Sequence, residues 1–219
     1  RLLEYGVDTQ HISVVALPTG HANICVDPAG ENNIVLYPGA NHAITEQMIG
    51  AALAEASPGD FLLMQNETLG QQFAAETAQT LGLRVAYAAA PFDAEAVAGL
   101  AHMADLLILN EVEAAQLLAA TGQELSDLPV DDVVVTLGGD GCKWVSNRGN
   151  ITQTYAAYPA DPVDTTGAGD TFTGYLLAGL DRGVDMADAL DLAMRGGARM
   201  VARHGTADVI PDLKEVQSA

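Results

Sequence analysis

Short apolar runs alternate with helical segments over much of this chain, and that alternation constrains the fold more than any other feature. The runs at 61–64, 84–88, 106–109 and 133–137 are apolar at nearly every position. Strands that are apolar on both faces are typical of a sheet covered on both sides, and parallel strands need crossover connections that are usually helical. We therefore predict an α/β fold with a mainly parallel sheet and helices on both faces.

Helical segments fill the gaps between these runs. Thr45 is a suitable N-cap because its hydroxyl can accept a hydrogen bond from the first turn of a helix, and Gly122 is a suitable helix end. After residue 137 the pattern changes to two strand-like runs joined by turn-forming residues, which predicts a hairpin. We predict helices over 45–56, 69–81, 94–103, 112–120 and 187–201, a helix that follows Asp170, and hairpin strands over 143–146 and 151–155.

The front of the chain differs from the rest. Turn-forming residues, among them Pro18 and Gly20, separate short apolar runs there. We predict a small antiparallel β unit within residues 1–40, ahead of an α/β core over 41–219. The predicted strands cover 12–17, 23–27 and 34–37, and the predicted turns cover 18–20 and 28–32.

The formal net charge of −20 argues against several classes of partner. Nucleic acids and anionic membranes select basic surfaces, whereas this chain has 29 acidic and 9 basic residues. An anionic ligand would have to be held by backbone amides, a helix end or a cation. No run of 18 apolar residues predicts a membrane span. Cys25 and Cys142 form neither a metal motif nor a disulfide framework, so a cytoplasmic location is the default expectation.

One glycine-rich stretch has the chemistry of an anion site. Asp164-Thr165-Thr166-Gly167-Ala168-Gly169-Asp170-Thr171 precedes an apolar run with helical character. A helix N-terminus offers about four unpaired N–H groups and a partial positive charge, and small residues let an anion approach them. Asp170 adds a carboxylate suited to deprotonating a hydroxyl beside a transferring phosphoryl group. A plain glycine turn with a first-turn acid is an equally good interpretation of this stretch alone.

Polar and glycine residues crowd the expected carboxyl ends of the strands, where ligands bind in sheets of this kind. They are Gln65-Asn66-Glu67, Asn110-Glu111-Val112-Glu113 and Gly138-Gly139-Asp140-Gly141. Turns favour the same residues, so these positions alone do not define a site. The sequence has no GxxxxGK[ST] P-loop, and the spacing of Gly167, Gly169 and Gly174 misses the dinucleotide fingerprint GxGxxG.

Taken together, the motifs resemble those of the ribokinase (PfkB) family of carbohydrate kinases. The stretch 164–172 is similar to the C-terminal signature of that family, 110–113 to its NxxE motif, and 136–141 to its nucleotide-binding TLGxxG motif. Two further stretches, 38–41 and 63–67, resemble the ribokinase branch more than the fructokinase or adenosine kinase branches. The resemblance runs in register from about Val14 to Pro211, and it implies a ribokinase-like fold.

This resemblance implies an ATP-dependent sugar kinase. Asp170 would be the base that takes the proton from the attacking sugar hydroxyl. The backbone amides of Gly167, Ala168 and Gly169 would form the anion hole for the transferring phosphoryl group. Glu113 would help to position hydrated Mg²⁺, although a solvated first-turn acid is the ordinary structural alternative for that residue.

The resemblance also implies positions for the nucleotide and the sugar. Glu67 corresponds to a sugar-contacting position, although a lone loop acid is as often simply solvated. A strand-ending turn is the structural alternative for the 136–141 motif. Met194 falls where many relatives place a polar residue near adenine, which puts base recognition in question. The implied ATP-binding residues are Asn110, Thr136, Gly138, Gly141 and Met194.

Members of this family also hold an activating K⁺ ion behind the catalytic turn. Asp164 and Thr166 match two of the positions that hold it. The remaining ligands in the family are mostly backbone oxygens, and oxygen donors suit a hard cation. Those positions correspond to Met200, Arg203, Gly205 and Val209, of which Val209 has no hydroxyl to offer.

The largest departure from the family lies at the front. The N-terminal strands that grip the sugar, with a diglycine segment and an aspartate, have no counterpart before Arg1 in this sequence, and residues 1–40 resemble part of a lid. The resemblance implies phosphorylation of D-ribose at its 5-hydroxyl by a homodimer that pairs through lid strands. The alternatives are a kinase for another sugar or a nucleoside, and a non-catalytic nucleotide-binding remnant.

Overall fold

The structure, a computed structural model, describes residues 2–26 and 32–218. It contains a six-stranded sheet, a separate two-stranded sheet and seven α-helices within those residues. The strands are β1 His21–Val26, β2 Asn32–Tyr37, β3 Phe61–Met64, β4 Arg84–Ala88, β5 Leu106–Asn110, β6 Asp132–Thr136, β7 Cys142–Ser146 and β8 Ile151–Tyr155. The helices are α1 Glu46–Leu53, α2 Gln71–Leu81, α3 Ala94–Leu100, α4 Glu111–Thr121, α5 Ala168–Asp181, α6 Met186–Val201 and α7 Leu213–Gln217.

The large sheet has the strand order β3-β4-β5-β6-β7-β8. Its first four strands pair in parallel, and β7 and β8 continue the sheet as an antiparallel hairpin. Because the four parallel strands point the same way, their carboxyl ends lie at one edge of the sheet. The α/β fold with a mainly parallel sheet is therefore confirmed, as is the hairpin.

Helices cover both faces of this sheet, and β5 shows why its sequence is apolar throughout. Leu107 and Leu109 pack into a core beneath α2, α3 and α4, where Val97 and Leu117 are also buried. The alternate residues Leu106 and Ile108 pack into a second core beneath α5 and α6. A strand buried on both faces leaves no position for a polar side chain except at its ends.

The two-stranded sheet lies in the region predicted to form a β unit. Strands β1 and β2 pair antiparallel, with His21 opposite Tyr37. Part of the predicted turn at 28–32 lies outside the described residues. The predicted strand over 12–17 is wrong, because this segment is irregular and Val14 is fully exposed, without a strand to pair with among the residues described.

Element boundaries follow local backbone signals. Thr45 caps α1 as predicted, and its hydroxyl accepts a hydrogen bond from the amide of Met48 at 3.3 Å. Helix α5 begins at Ala168, two residues before Asp170, because Gly167 adopts a left-handed conformation (φ 76°) that ends the preceding turn. The predicted helix over 94–103 is α-helical only to Leu100 and then tightens to a 3₁₀ turn.

Strand β3 forms one side of the six-stranded sheet, with β4 as its sheet neighbour. Its sequence, Phe61-Leu62-Leu63-Met64, carries no charge. Leu63 is 44% exposed, whereas Met64 is buried in the core beneath α2. Among the described helices, none is both long and apolar enough to span a membrane.

Candidate active site

A cavity of about 880 Å³ opens at the carboxyl edge of the large sheet. The ends of β5 and β6 form one side, and the first turn of α5 and the last two turns of α6 form the other. All five residues implied to bind ATP line this cavity, and so do two residues of the implied anion hole. They are Asn110, Thr136, Gly138, Gly141 and Met194, with Ala168 and Gly169.

The glycine turn and the start of α5 present backbone amides at this cavity. The amide of Thr171 donates to the Gly167 carbonyl at 2.9 Å, closing the first turn, and the amide of Ala168 donates to the Thr165 carbonyl at 3.2 Å. The amides of Gly169 and Asp170 have no backbone acceptor among the described residues. The amide of Gly167 likewise has no backbone acceptor among these residues, so of the three amides implied by the family resemblance only that of Ala168 is occupied.

Asp170 is the third residue of α5 and is exposed. Its neighbour Gly169 lines the cavity, so the Asp170 carboxylate belongs to the turn that forms the cavity wall. A negative charge in a first helical turn interacts favourably with the positive end of the helix dipole.

Asn110 and Glu113 form a capping box at the start of α4. The Asn110 Oδ1 atom accepts the amide of Glu113 at 2.8 Å, and the Glu113 Oε2 atom accepts the amide of Asn110 at 2.7 Å. Burial raises the pKa of Glu113, and the hydrogen bond from the Asn110 amide partly opposes that shift. The cap uses one polar atom of each side chain, so the Asn110 Nδ2 donors and the Glu113 Oε1 atom remain for other partners.

The strand-end turn after β6 needs glycine at one position in particular. Gly141 has φ +106°, and a Cβ there would lie 2.0 Å from the Tyr155 carbonyl oxygen. The Gly141 carbonyl also accepts the amide of Leu137 at 2.8 Å, which closes the turn. This close backbone approach shapes the cavity wall next to Thr136.

A second wall of the cavity was missed by the sequence reasoning. The segment 157–162 lies along the cavity, and Tyr158 donates a hydrogen bond from its hydroxyl to Asp191 of α6. The available signal was indirect. Pro159 and Pro162 favour an extended segment ahead of the glycine turn, but no motif marks them as lining residues.

The positions implied to hold K⁺ meet behind the glycine turn. The amides of Val163 and Asp164 both donate to the Val201 carbonyl, at 2.7 and 3.1 Å, which docks the turn on the end of α6. Asp164 Oδ1 accepts the amide of Thr166 at 2.9 Å, and that hydrogen bond is the main reason that the pKa of Asp164 is lowered. An ionised carboxylate with neighbouring carbonyls is a donor set that suits a hard cation.

Two of the implied backbone ligands already accept hydrogen bonds. The Met200 carbonyl accepts the amide of Arg203 at 3.1 Å, and the Val209 carbonyl accepts the Arg203 guanidinium at 2.9 Å. The Met200 carbonyl also accepts the amide of Ala202, so both of its lone pairs are engaged, whereas the Val209 carbonyl keeps a second lone pair that could face a cation. The fit is therefore good at Asp164 and is crowded at Met200 and Val209.

Glu67 is not brought to the cavity. It is exposed in the loop that follows β3 and does not line the pocket between β5, β6, α5 and α6. Within residues 2–26 and 32–218, no group of three or more His, Cys, Asp or Glu side chains could hold a metal ion.

The fold and the cavity define an α/β protein in which the start of a helix lines a cavity at the carboxyl edge of the parallel strands. The chain belongs to the pfkB family of carbohydrate kinases, whose family profile matches residues 1–213. It is thus a kinase related to the enzymes that phosphorylate sugars and nucleosides, and it uses ATP as that family does.

Known proteins that resemble this chain include several ribokinases. The ribokinase of Haemophilus influenzae is 32% identical, over 96% of this chain and 72% of its own length. The structure of Thermotoga maritima ribokinase gives a TM-score of 0.80 at 30% identity and covers 93% of this chain and 70% of its own. The structure of Cryptococcus neoformans ribokinase in complex with ADP gives a TM-score of 0.82 at 28% identity. It covers 99% of this chain and 76% of its own.

Proposed function

We propose that this protein transfers the γ-phosphoryl group of ATP to the 5-hydroxyl of D-ribose. One observation carries the proposal. Gly169, whose amide has no backbone acceptor among the described residues, lines the same cavity as Asn110 and Thr136, and Asp170 follows it in the first turn of α5. Possible phosphate donors from two elements therefore lie near one carboxylate. Phosphoryl transfer passes through a loose transition state, so positioning and charge stabilisation are the main tasks of the protein.

Asp170 is the proposed general base. Its carboxylate accepts the proton of the attacking sugar hydroxyl, and the new O–P bond forms as the bond to the ADP leaving oxygen breaks. The amides of Gly167, Gly169 and Asp170, which have no backbone acceptor among the described residues, stabilise the charge on the transferring oxygens. The Asn110 Nδ2 donors reach the nucleotide phosphates from the opposite side of the cavity.

Glu113 is the proposed protein contact for hydrated Mg²⁺, through its Oε1 atom and a water molecule. When bound, Mg²⁺ neutralises charge on the β- and γ-phosphate oxygens. The raised pKa of Glu113 works against its ionised form, so binding through this residue weakens as the pH falls toward the raised value.

K⁺ is proposed to bind behind the catalytic turn, at Asp164 and Thr166 and the carbonyls of the 200–209 segment. Its role would be structural, because it lies behind the amides rather than on the reacting atoms. The crowding of the Val209 carbonyl by Arg203 predicts weak K⁺ affinity at most.

Three further parts of the proposal rest on the family resemblance. Glu67 is proposed to contact the sugar, the location is proposed to be cytoplasmic, and the protein is proposed to form a homodimer through the β1–β2 sheet. Val35, Leu36 and Tyr37 on β2 are exposed, which supplies an apolar surface for such pairing. Size measurements in solution test the dimer, and Leu36→Glu should shift it toward the monomer.

The substrate proposal is tested with a coupled assay for ADP release by the full-length protein. Ribose, deoxyribose, fructose and adenosine are offered in turn, with KCl or with tetramethylammonium chloride. The expected result is the highest kcat/KM with ribose and a loss of turnover in Asp170→Asn. A higher kcat/KM with fructose or adenosine would show that ribose is not the preferred substrate. The absence of turnover with all four compounds would exclude the kinase proposal.

A further inference from the structure

The cavity continues from the first turn of α5 along α6 to Tyr158. Gly197 lies beside that first turn, since a Cβ at Gly197 would lie 3.9 Å from the Ala168 carbonyl oxygen. Tyr158 donates a hydrogen bond to Asp191, which precedes Gly197 by six residues on α6. Tyr158 therefore lies about 9 Å along the helix from Gly197. With the phosphates at the start of α5, as the proposed function requires, the base of the nucleotide extends toward Tyr158.

Tyr158 is fixed in place by two side chains of α6. Its hydroxyl donates to Asp191, and the Arg195 guanidinium lies 4.7 Å from the centre of its ring. Arg195 also donates to the second oxygen of Asp191 at 2.9 Å, so the three side chains form one network. A hydroxyl that donates its proton to Asp191 has none to donate to a base in the cavity.

Met194 forms an apolar surface on α6 midway between Gly197 and Asp191. It is 8% exposed, and its sulfur lies 3.7 Å from the sulfur of the fully buried Cys142. Phe172 and Ala198 lie nearby in the lining. Apart from Tyr158, the polar side chains in the described lining come from the ends of β5 and β6 and from the catalytic turn. The one beside Met194 is Thr136, which pairs with Cys142 across β6 and β7.

We propose that Tyr158 and Met194 hold the base by shape and apolar contact, so that the protein uses purine nucleoside triphosphates without selecting adenine over guanine or hypoxanthine. Adenine and guanine differ chiefly in the hydrogen-bond donors and acceptors on their edges. A site built to hydrogen-bond its substrate rejects an unsuitable analogue by about 10⁴-fold or more, whereas an apolar pocket discriminates about 10²-fold at most. This inference rests on the proposed function.

Calorimetric binding of ADP, GDP and IDP to the full-length protein is the direct test. The expected dissociation constants lie within about tenfold of one another. A preference for ADP of about 100-fold or more would overturn the inference and leave the kinase proposal intact. If none of the three diphosphates binds, both are overturned. Turnover of ribose with ATP, GTP and ITP supplies the matching kinetic comparison.

Substitutions test which side chains set this tolerance. Met194→Asn introduces hydrogen-bond donors and an acceptor into the apolar part of the cavity. The dissociation constants of ADP and GDP should then differ by about tenfold or more. Met186→Asn, the same change about 12 Å away on α6, should leave the ratio unchanged. An unchanged ratio in Met194→Asn would place the base elsewhere and contradict the inference.

Tyr158→Ala removes the aromatic ring on which the base would stack. The affinities for ADP, GDP and IDP should all fall by a similar factor, about 5- to 100-fold. Tyr158→Phe keeps the ring and should stay close to the parent for all three. A loss confined to ADP would show that Tyr158 reads adenine and would overturn the proposal. Should Tyr158→Ala fail to fold, Tyr158→Leu provides the same comparison.

Discussion

Asn110 and Glu113 show how one pair of side chains serves structure and chemistry with different atoms. The capping hydrogen bonds occupy Asn110 Oδ1 and Glu113 Oε2. The remaining Nδ2 donors suit phosphate oxygens, and Oε1 suits a water on a divalent cation. The cap therefore pre-orients the groups that the proposed reaction needs, and a substitution at either residue alters helix stability as well as activity.

Asp170→Asn should reduce kcat by about 10²- to 10⁴-fold, because the amide cannot accept the proton of the sugar hydroxyl. Asp170 is exposed, so the free energy of unfolding should stay close to that of the parent. ADP affinity should be unchanged or higher, since a carboxylate next to the phosphates is removed. Single-turnover kinetics and ADP calorimetry check these outcomes. A kcat within about threefold of the parent would exclude Asp170 as the base, because losing a general base costs about 10²-fold or more.

Gly141→Ala should destabilise the protein by about 2 kcal/mol or more. The backbone there has φ +106°, and the added Cβ would lie 2.0 Å from a carbonyl oxygen. Urea unfolding measures the change. Gly139→Ala is the matched control, because a Cβ at Gly139 meets no heavy atom within 4 Å. Equal stability of the two variants would mean that the turn relaxes freely.

At the scale of elements, an ion pair links helix α7 to the segment that follows α6. Arg203 donates to Glu215 Oε1 at 2.6 Å, while Glu215 Oε2 accepts the Asp212 amide in the capping box of α7. Tyr175 of α5 donates to the Pro211 carbonyl at 2.6 Å. These contacts fix the 203–211 segment behind the catalytic turn.

The ion pair predicts an acid-sensitive contribution to stability. Arg203 is the main cause of the lowered pKa of Glu215, whose ordinary value is 4.5. A lowered folded pKa means that the contribution is fully present above pH 4.5 and is lost as the pH falls through the lowered value. The difference in urea midpoint between the parent and Glu215→Gln should therefore shrink between pH 7 and about pH 3.

Glu124→Gln controls for the loss of one negative charge on an exposed residue. Its midpoint should follow that of the parent across the same pH range. A constant difference between the parent and Glu215→Gln down to about pH 3 would show that the contribution of Glu215 does not depend on its charge.

Most strands and helices of the core were predictable because burial on both faces leaves a simple apolar pattern. The strands at 61–64 and 84–88 match their predicted bounds. The segment 12–17 is equally apolar but lacks a partner strand among the described residues, and β propensity without pairing does not make a strand. Within the site, motif residues were predictable, whereas Tyr158 was not, because its place depends on a contact with Asp191 that is distant in sequence.

At the scale of the whole molecule, the charge imbalance should make stability depend on salt. The 9 basic side chains can pair with only a fraction of the 29 acidic ones, so uncompensated repulsion acts across the surface. Raising NaCl from about 10 mM to about 0.5 M should screen that repulsion and raise the unfolding midpoint by about 2–4 °C. A falling midpoint would mean that the surface ion pairs outweigh the repulsion.

Tetramethylammonium chloride at equal ionic strength separates screening from specific binding. Screening alone predicts the same rise with either salt. An additional rise in KCl would support the cation site behind the catalytic turn, whereas equal midpoints in all three salts would argue against it.

The uncharged strand β3 has a practical consequence for anyone handling this polypeptide. Within the described residues it is an edge strand of the sheet, and Leu63 is 44% exposed. Native sheets protect such an edge with lysine, proline or a covering element, and β3 has neither lysine nor proline. The protein should therefore lose dispersed material to aggregates on storage, and Leu63→Lys should slow that loss. Light scattering over time, with Leu118→Lys on α4 as an exposed control, measures the difference.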